Sequence, residues 1–319
     1  MVSIFASTAP IFVIIGFGFL IVKAGLLPRD AVPVLGRFVL FVAMPCMVFG
    51  TLVKMDLREI FNPHYFGVYA LGSLAAFVLI YLLARFVLGR NKTLTPLLAL
   101  GSSASNSVFF GYPVLLQLFD PAPTEAFTMA LMVENLVMFP LAFILLELSQ
   151  REESDKPVNF LQMIGGVAKR VSGNPVLFAI IAGVFASLID LQLPDMIDRS
   201  LSMVGAATAP VALIVIGGSL VGAGVHSSYT DISLVSAAKL LIHPLMVFIA
   251  ALLIPGLSAE LILAAMVFAA MPMISILPII ATAYRYNQAC ASIVLVATLA
   301  AFVSIPVILA AVSGQLGLA

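Results

Sequence analysis

Apolar residues along this chain fall into long unbroken runs, separated by charged residues, prolines and glycines. Ten such runs are present, at 6–26, 33–53, 64–89, 94–119, 124–149, 174–191, 195–222, 232–254, 259–285 and 288–314. An α-helix needs about 20 mainly apolar residues to cross a bilayer's hydrocarbon, so the pattern predicts an all-α polytopic membrane protein with ten transmembrane helices. Residues 9–22 have the length of a signal-peptide core, but no basic residue precedes them and no small-x-small cleavage site follows. They are predicted to form the first span and to be retained.

Composition agrees and removes other classes. The 319 residues are 62% hydrophobic and 9% charged, with a mean hydropathy of +1.19, whereas a soluble domain carries about 25% charged residues. Fifteen basic and fifteen acidic residues cancel, so no basic field is present to hold a nucleic acid. Cys46 and Cys290 both lie in apolar runs and give no disulfide framework.

Basic residues mark the cytoplasmic side. With the N-terminus outside, Lys23, Arg29, Arg37, Arg85, Arg90, Lys92, Arg151, Lys156, Lys169, Arg170 and Arg285 fall inside, and only Lys54, Arg58 and Arg199 fall outside. Eleven against three places both termini outside. The longest polar segment, 150–173, follows the fifth run and is expected to be a cytoplasmic linker between residues 1–149 and 174–319. Within it, 159–168 has the alternative of lying on the membrane surface as a short amphipathic piece.

The two halves answer each other. Pro10 and Pro175, Pro45 and Pro210, and Pro113 and Pro278 are each 165 residues apart; Pro28 with Pro194 and Pro140 with Pro306 differ by 166. PIFVIIGFGFLI at 10–21 matches PVLFAIIAGVFA at 175–186. Five spans per half turn the second half upside down, the arrangement of secondary transporters that bind substrate near the midplane between inverted repeats.

Two spans are predicted to be broken. In the fourth, Pro113 lacks an N–H and Gly111 frees the backbone, so an interruption is expected at Gly111-Tyr112-Pro113. Such a break must face protein or a wet cavity, and its new helix N-terminus suits an anion. Ser103, Ser105, Asn106 and Ser107 add polarity just before it. Close helix packing is the competing explanation for these small polar residues. The ninth span carries Pro272 and Pro278 with Ser275 between them, and the repeat predicts that spans four and nine cross.

Ionisable residues at depth are functional candidates by their expense. Glu134, with Asn135 beside it, lies about ten residues into the fifth run, roughly 15 Å deep at 1.5 Å per residue. Lys239 and His243 stand one turn apart on the eighth run, before Pro244. Pairing of either with Glu134 would carry a coupling proton or ground a substrate charge; the alternative is a structural clamp between the fifth and eighth spans.

SNSVFFGYPVLLQLF at 105–119 resembles the fourth-span motif of the auxin efflux carrier family, which includes plant PIN-type and bacterial malonate-type carriers. AKLLIHPLM at 238–246 and AAMPMISILPIIATAYRYN at 269–287 resemble its eighth- and ninth-span motifs. The resemblance implies the fold of bile-acid sodium symporters and Na⁺/H⁺ antiporters, with spans one, two, six and seven as scaffold and the other six as a mobile core. It also implies small organic anions as substrates and Asn106 with the Pro113 break as their site. Many members carry asparagine after the first proline of span nine, where this chain has Met273-Ile274-Ser275. The family motif points to Pro272 as the crossover and the repeat offset to Pro278.

The sequence therefore predicts a secondary carrier of small carboxylates working by alternating access in a bacterial inner membrane. Ser105, Asn106, Gly111, Tyr112, Pro113, Pro272, Ser275 and Pro278 would form the substrate site, supplemented by Lys239 or His243. Glu134 with Asn135 would be the candidate for proton coupling. The expected partners are the lipid bilayer, the substrate anion and a second copy joined through the scaffold helices. A sodium-coupled symporter is the first alternative, though span nine offers few oxygens beyond Ser275. A channel or ligand-sensing protein is the second. With three histidines and no metal-type cluster, neither an enzyme nor a metal or organic cofactor is expected.

Overall fold

The computed structural model describes residues 2–54, 61–154, 175–222, 228–282 and 284–315. In chain order its helices are α1 (Val2–Lys23), α2 (Ala31–Leu52), α3 (Pro63–Val87), α4 (Leu94–Ser103), α5 (Ser107–Leu118) and α6 (124–154). They continue as α7 (Pro175–Leu188), α8 (Asp195–Ser219), α9 (Tyr229–Leu253), α10 (Ala259–Ala270), α11 (Leu277–Thr282) and α12 (Asn287–Gln315). Among the described residues six helices, α2, α3, α6, α8, α9 and α12, are long and apolar enough to cross a membrane. The chain is an integral, all-helical, polytopic membrane protein.

Helix α6 continues to Ser154, into the polar segment 150–173, because Gln150, Arg151, Glu152 and Glu153 are good helix formers. The rest of that segment, including 159–168, lies outside the described residues.

Prolines shape the long helices in a consistent way. Among the described residues five wide π-type turns occur, at Val39–Ala43, Leu83–Val87, Ser107–Gly111, Glu134–Met138 and Ala238–Ile242. Four of them run directly into an X-Pro pair: Met44-Pro45, Tyr112-Pro113, Phe139-Pro140 and His243-Pro244. The N–H groups of Met44, Phe139 and His243 reach the carbonyl five residues back, at Val39, Glu134 and Ala238. A proline ring clashes with the carbonyl four residues back in an α-helix; one extra residue in the turn moves that carbonyl aside and the helix continues.

The chain forms two compact units. The first holds residues 1–63, 108–129 and 172–222, where α1 packs on α8 and α2 packs on α7 and α8. Backbones touch where side chains are missing: a Cβ on Gly217 would collide with the Ile15 carbonyl oxygen, and one on Gly18 would lie 2.6 Å from that of Ile214. Small residues permit such contact between helices that have no hydrophobic drive to associate in lipid. The second unit holds residues 64–107, 130–171 and 223–319. There a Cβ on Gly72 of α3 would lie 2.5 Å from the Cα of Val247 on α9, and α12 packs on α9, α10 and α11. At one end, Arg90 Nε donates to Asp231 Oδ1 at 2.8 Å and Asn91 Oδ1 accepts from the Leu94 N–H at 2.7 Å, capping α4.

Gly217→Val is expected to destabilise the protein by about 1–3 kcal/mol through overpacking, seen as a lower unfolding temperature in detergent. Gly16→Ala, inside α1 with nothing within 4 Å of its Cβ, does not lower that temperature, and the better helix propensity of alanine raises it slightly.

Candidate functional site

Two helices of the second unit, α4 and α10, stop in mid-course, and each is followed by a short extended peptide. Helix α4 ends at Ser103, and Ala104 adopts an extended conformation (φ −101°, ψ 130°). Helix α10 ends at Ala270, and Met271 is extended (φ −63°, ψ 152°), as a residue before proline is pushed to be. The two extended peptides lie antiparallel, with Ser105 opposite Met273. The Asn106 N–H donates to the Pro272 carbonyl at 2.8 Å and the Ile274 N–H to the Ala104 carbonyl at 3.3 Å. Each peptide thus satisfies the other's backbone where no water or helix would.

The interruption in the fourth segment therefore lies at 104–106, not at 111–113. Gly111 is helical (φ −62°, ψ −47°) and Pro113 occupies the second position of the α-helical turn that follows. The wide turn Ser107–Gly111 absorbs the proline, and the break moves to the small residues Ala104-Ser105-Asn106. In the ninth segment the extended peptide runs through Pro272, while Pro278 is the second residue of α11.

Helix ends at the crossing carry partial charges, and one buried ionic group meets each of two of them. Glu134, 3% exposed, accepts from the Ser107 hydroxyl at 2.6 Å and the Ser105 N–H at 3.3 Å, at the N-terminal end of α5. Lys239, fully buried, donates to the Ala269 carbonyl at 2.7 Å, at the C-terminal end of α10. The signs match the helix dipoles, an effect of about 0.3–1 kcal/mol, up to about 2 when partly buried. Desolvating an ion costs several kcal/mol, so the dipoles alone do not suffice. Hydrogen bonds to charged groups, about 1.5–3 kcal/mol each, offset a further part of that cost.

Lys239 also meets His243, Nζ to Nδ1 at 3.0 Å, and His243 Nε2 lies 2.9 Å from the Ser73 hydroxyl. With Lys239 as an ammonium donor, His243 is the Nε2–H tautomer and donates to Ser73. Glu134 and Lys239 form no direct ion pair, which differs from the expected pairing. Their π-turns aim them at separate helix ends, where backbone groups need them. Tyr69 spans the interval: its hydroxyl donates to Ser105 Oγ at 3.2 Å, and its ring centroid stands 5.9 Å from that of His243.

Asn106, 6% exposed, donates through Nδ2 to the Ser275 hydroxyl oxygen at 2.7 Å. Ser275 is exposed, and with its oxygen accepting, its O–H can donate to an outside acceptor. Asn135 turns inward, Nδ2 donating to the Leu131 carbonyl at 2.8 Å. The structure therefore brings together Ser105, Asn106, Glu134, Lys239, His243, Pro272 and Ser275 in one unit. Gly111, Tyr112 and Pro113 belong to the other, where Tyr112 stacks obliquely on Phe127 (4.8 Å) and lines a cavity of about 440 Å³ with Cys46, Met47 and Thr208.

Sequence reasoning missed Tyr69 and Ser73. With Tyr65 they form a four-residue-spaced stripe on α3, a polar line in an otherwise apolar span, and that periodicity was the available signal.

Among known proteins, the family model described as "Membrane transport protein" matches residues 3–309. A protein of Rhizobium meliloti (strain 1021) described as "Putative malonate transporter" is 21% identical over 250 residues, covering 78% of this chain and 77% of the relative. An "Uncharacterized transporter" of Methanothermobacter thermautotrophicus is 27% identical over 241 residues, 74% of each chain. The "Lysosomal cholesterol signaling protein" of Mus musculus is 22% identical over 253 residues, 76% of this chain but 29% of that much longer protein.

Lys239→Met is expected to strand the Ala269 carbonyl and His243 Nδ1 and to cost about 1–3 kcal/mol per lost buried partner, read as a fall in unfolding temperature. At exposed Arg199 the same change stays within about 0.5 kcal/mol.

Proposed function

The chain belongs to the membrane transport protein family, the family of auxin efflux carriers, and on that premise we propose that it is a secondary carrier of small organic anions, with carboxylates as its substrates. The observation that carries this reading is the exposed Ser275 hydroxyl, hydrogen-bonded to Asn106 beside two interrupted helices. A carboxylate placed there accepts from the Ser275 O–H. It also lies near the start of α5, where peptide dipoles favour an anion. The name of the Rhizobium relative supports a small dicarboxylate.

The proposed architecture is ten spans in two inverted repeats of five. Its support is the proline spacing of 165 and 166 residues and the shared helix–extended–helix layout of α4–α5 and α10–α11. The scaffold would comprise α1, α2, α7 and α8, and the core would carry the crossing through the membrane in an elevator movement. Both termini lie outside a bacterial inner membrane in this reading, supported by the bias of Lys and Arg.

Glu134 is the proposed proton-coupling residue. Its carboxylate contacts both Ser105 and Ser107, on either side of Asn106, so a proton there would loosen the peptide that presents the substrate ligand. Lys239 and His243 would hold the crossing together without touching the substrate. Coupling to H⁺, with no cofactor, is preferred to Na⁺.

Uptake of carboxylates into proteoliposomes tests this. Asn106→Ala frees the Ser275 hydroxyl that meets the substrate and is expected to lower uptake at least about 100-fold, equivalent to roughly 3 kcal/mol, while folding and insertion are kept; normal uptake would sink the site assignment. Glu134→Gln is expected to remove stimulation by an imposed pH gradient. Retained stimulation would exclude Glu134 as the coupling residue, and dependence on sodium would favour a symporter of the bile-acid type.

A further inference from the structure

Two of the buried ionic side chains of the crossing share a backbone setting. Glu134 opens the wide turn Glu134–Met138, and Lys239 is the second residue of the wide turn Ala238–Ile242. Each turn runs straight into a proline, Pro140 or Pro244. In a regular α-helix the rings of these prolines would strike the carbonyls four residues back, at Leu136 and Leu240. Both carbonyls lie inside the wide turns.

The extra residue sets where the side chains point. One residue of an α-helix is about 100° of rotation, and at a Cα radius of about 2.3 Å that displaces the backbone by about 3.5 Å. Rewinding the turn to α would carry Glu134 off Ser107 and Ser105, or Lys239 off Ala269 and His243; the bonds at stake are 2.6 Å and 2.7 Å long. A proline does not by itself impose such a turn, since Pro306 sits inside α12 with none before it. Turn and polar anchor therefore hold each other.

We propose that Pro140 and Pro244 are positioning residues for the crossing, each locking a wide turn that aims a buried ionic group, Glu134 or Lys239, at an interrupted helix end. The proposed function supplies only the purpose of these groups. Their placement is a property of the fold, and it is tested without transport.

The experiment is a pair of double-mutant cycles on the full-length protein in lipid nanodiscs, read as unfolding temperature. Ser107→Ala removes the hydroxyl bonded to Glu134, and Lys239→Met removes the ammonium; each is expected to lower the unfolding temperature by at least about 2 °C alone. In Pro140→Ala the Ser107→Ala shift falls to less than a third of that size, and in Pro244→Ala the Lys239→Met shift does the same. Pro45→Ala, whose wide turn Val39–Ala43 is apolar, leaves both shifts at full size. Pro140→Ser and Pro244→Ser take the place of any alanine variant that does not fold. Shifts of undiminished size in the proline variants, or equally diminished in Pro45→Ala, overturn the proposal. Because unfolding is the readout, failure of the cycles leaves the carrier reading standing, and absence of carboxylate transport leaves the measured couplings unchanged.

Discussion

An extended peptide inside an apolar, membrane-embedded unit has nowhere to send its N–H and C=O groups, and this constraint organises the protein. The interruptions at 104–106 and 271–276 meet it by facing each other: two backbone hydrogen bonds join Asn106 to Pro272 and Ile274 to Ala104. Neither interruption would be tolerable alone, because each unsatisfied group costs several kcal/mol in hydrocarbon. Two of the four helix ends at the crossing, the start of α5 and the end of α10, are met by Glu134 and Lys239, of the sign each attracts. A buried acid and a buried base, usually read as an ion pair, here serve two different termini.

That arrangement separates support from recognition. Lys239, His243 and Ser73 are buried and bonded to one another or to the backbone, and buried Tyr69 donates to the Ser105 hydroxyl, so they stiffen the crossing. Ser275 is exposed and Asn106, buried behind it, holds its hydroxyl; in the proposed reading this is where the substrate is met. Glu134 belongs to both groups, because it grips the peptide on either side of Asn106. The proposed carrier function would need this division, because the frame around a substrate site must survive the site's exposure to each side in turn.

Much of this was legible in the sequence. Long apolar runs with few charges gave the polytopic helical class, and the i, i+4 spacing of Lys239 and His243 put them on one face. The position of the fourth-segment break was not legible, because Pro113 carries the stronger breaker signal and yet does not end its helix. A wide turn lets the helix pass Pro113, and the break falls instead at Ala104, Ser105 and Asn106, whose Ser/Asn cluster is a weaker breaker signal than a proline. No local pattern separates an α turn from a π turn, so the aim of Glu134 depended on tertiary structure. Its partners, Ser105 and Ser107, are close in sequence to each other but 27 or more residues from it.

In the proposed function the Asn106–Ser275 crossing binds a carboxylate and carries it across the membrane. Counterflow tests it most directly: proteoliposomes loaded with an unlabelled dicarboxylate are diluted into a trace of the same compound, labelled. Transient accumulation of label that saturates with internal substrate and is lost in Ser275→Ala is the expected result. Flux that never saturates, or accumulation unchanged in Ser275→Ala, would contradict it.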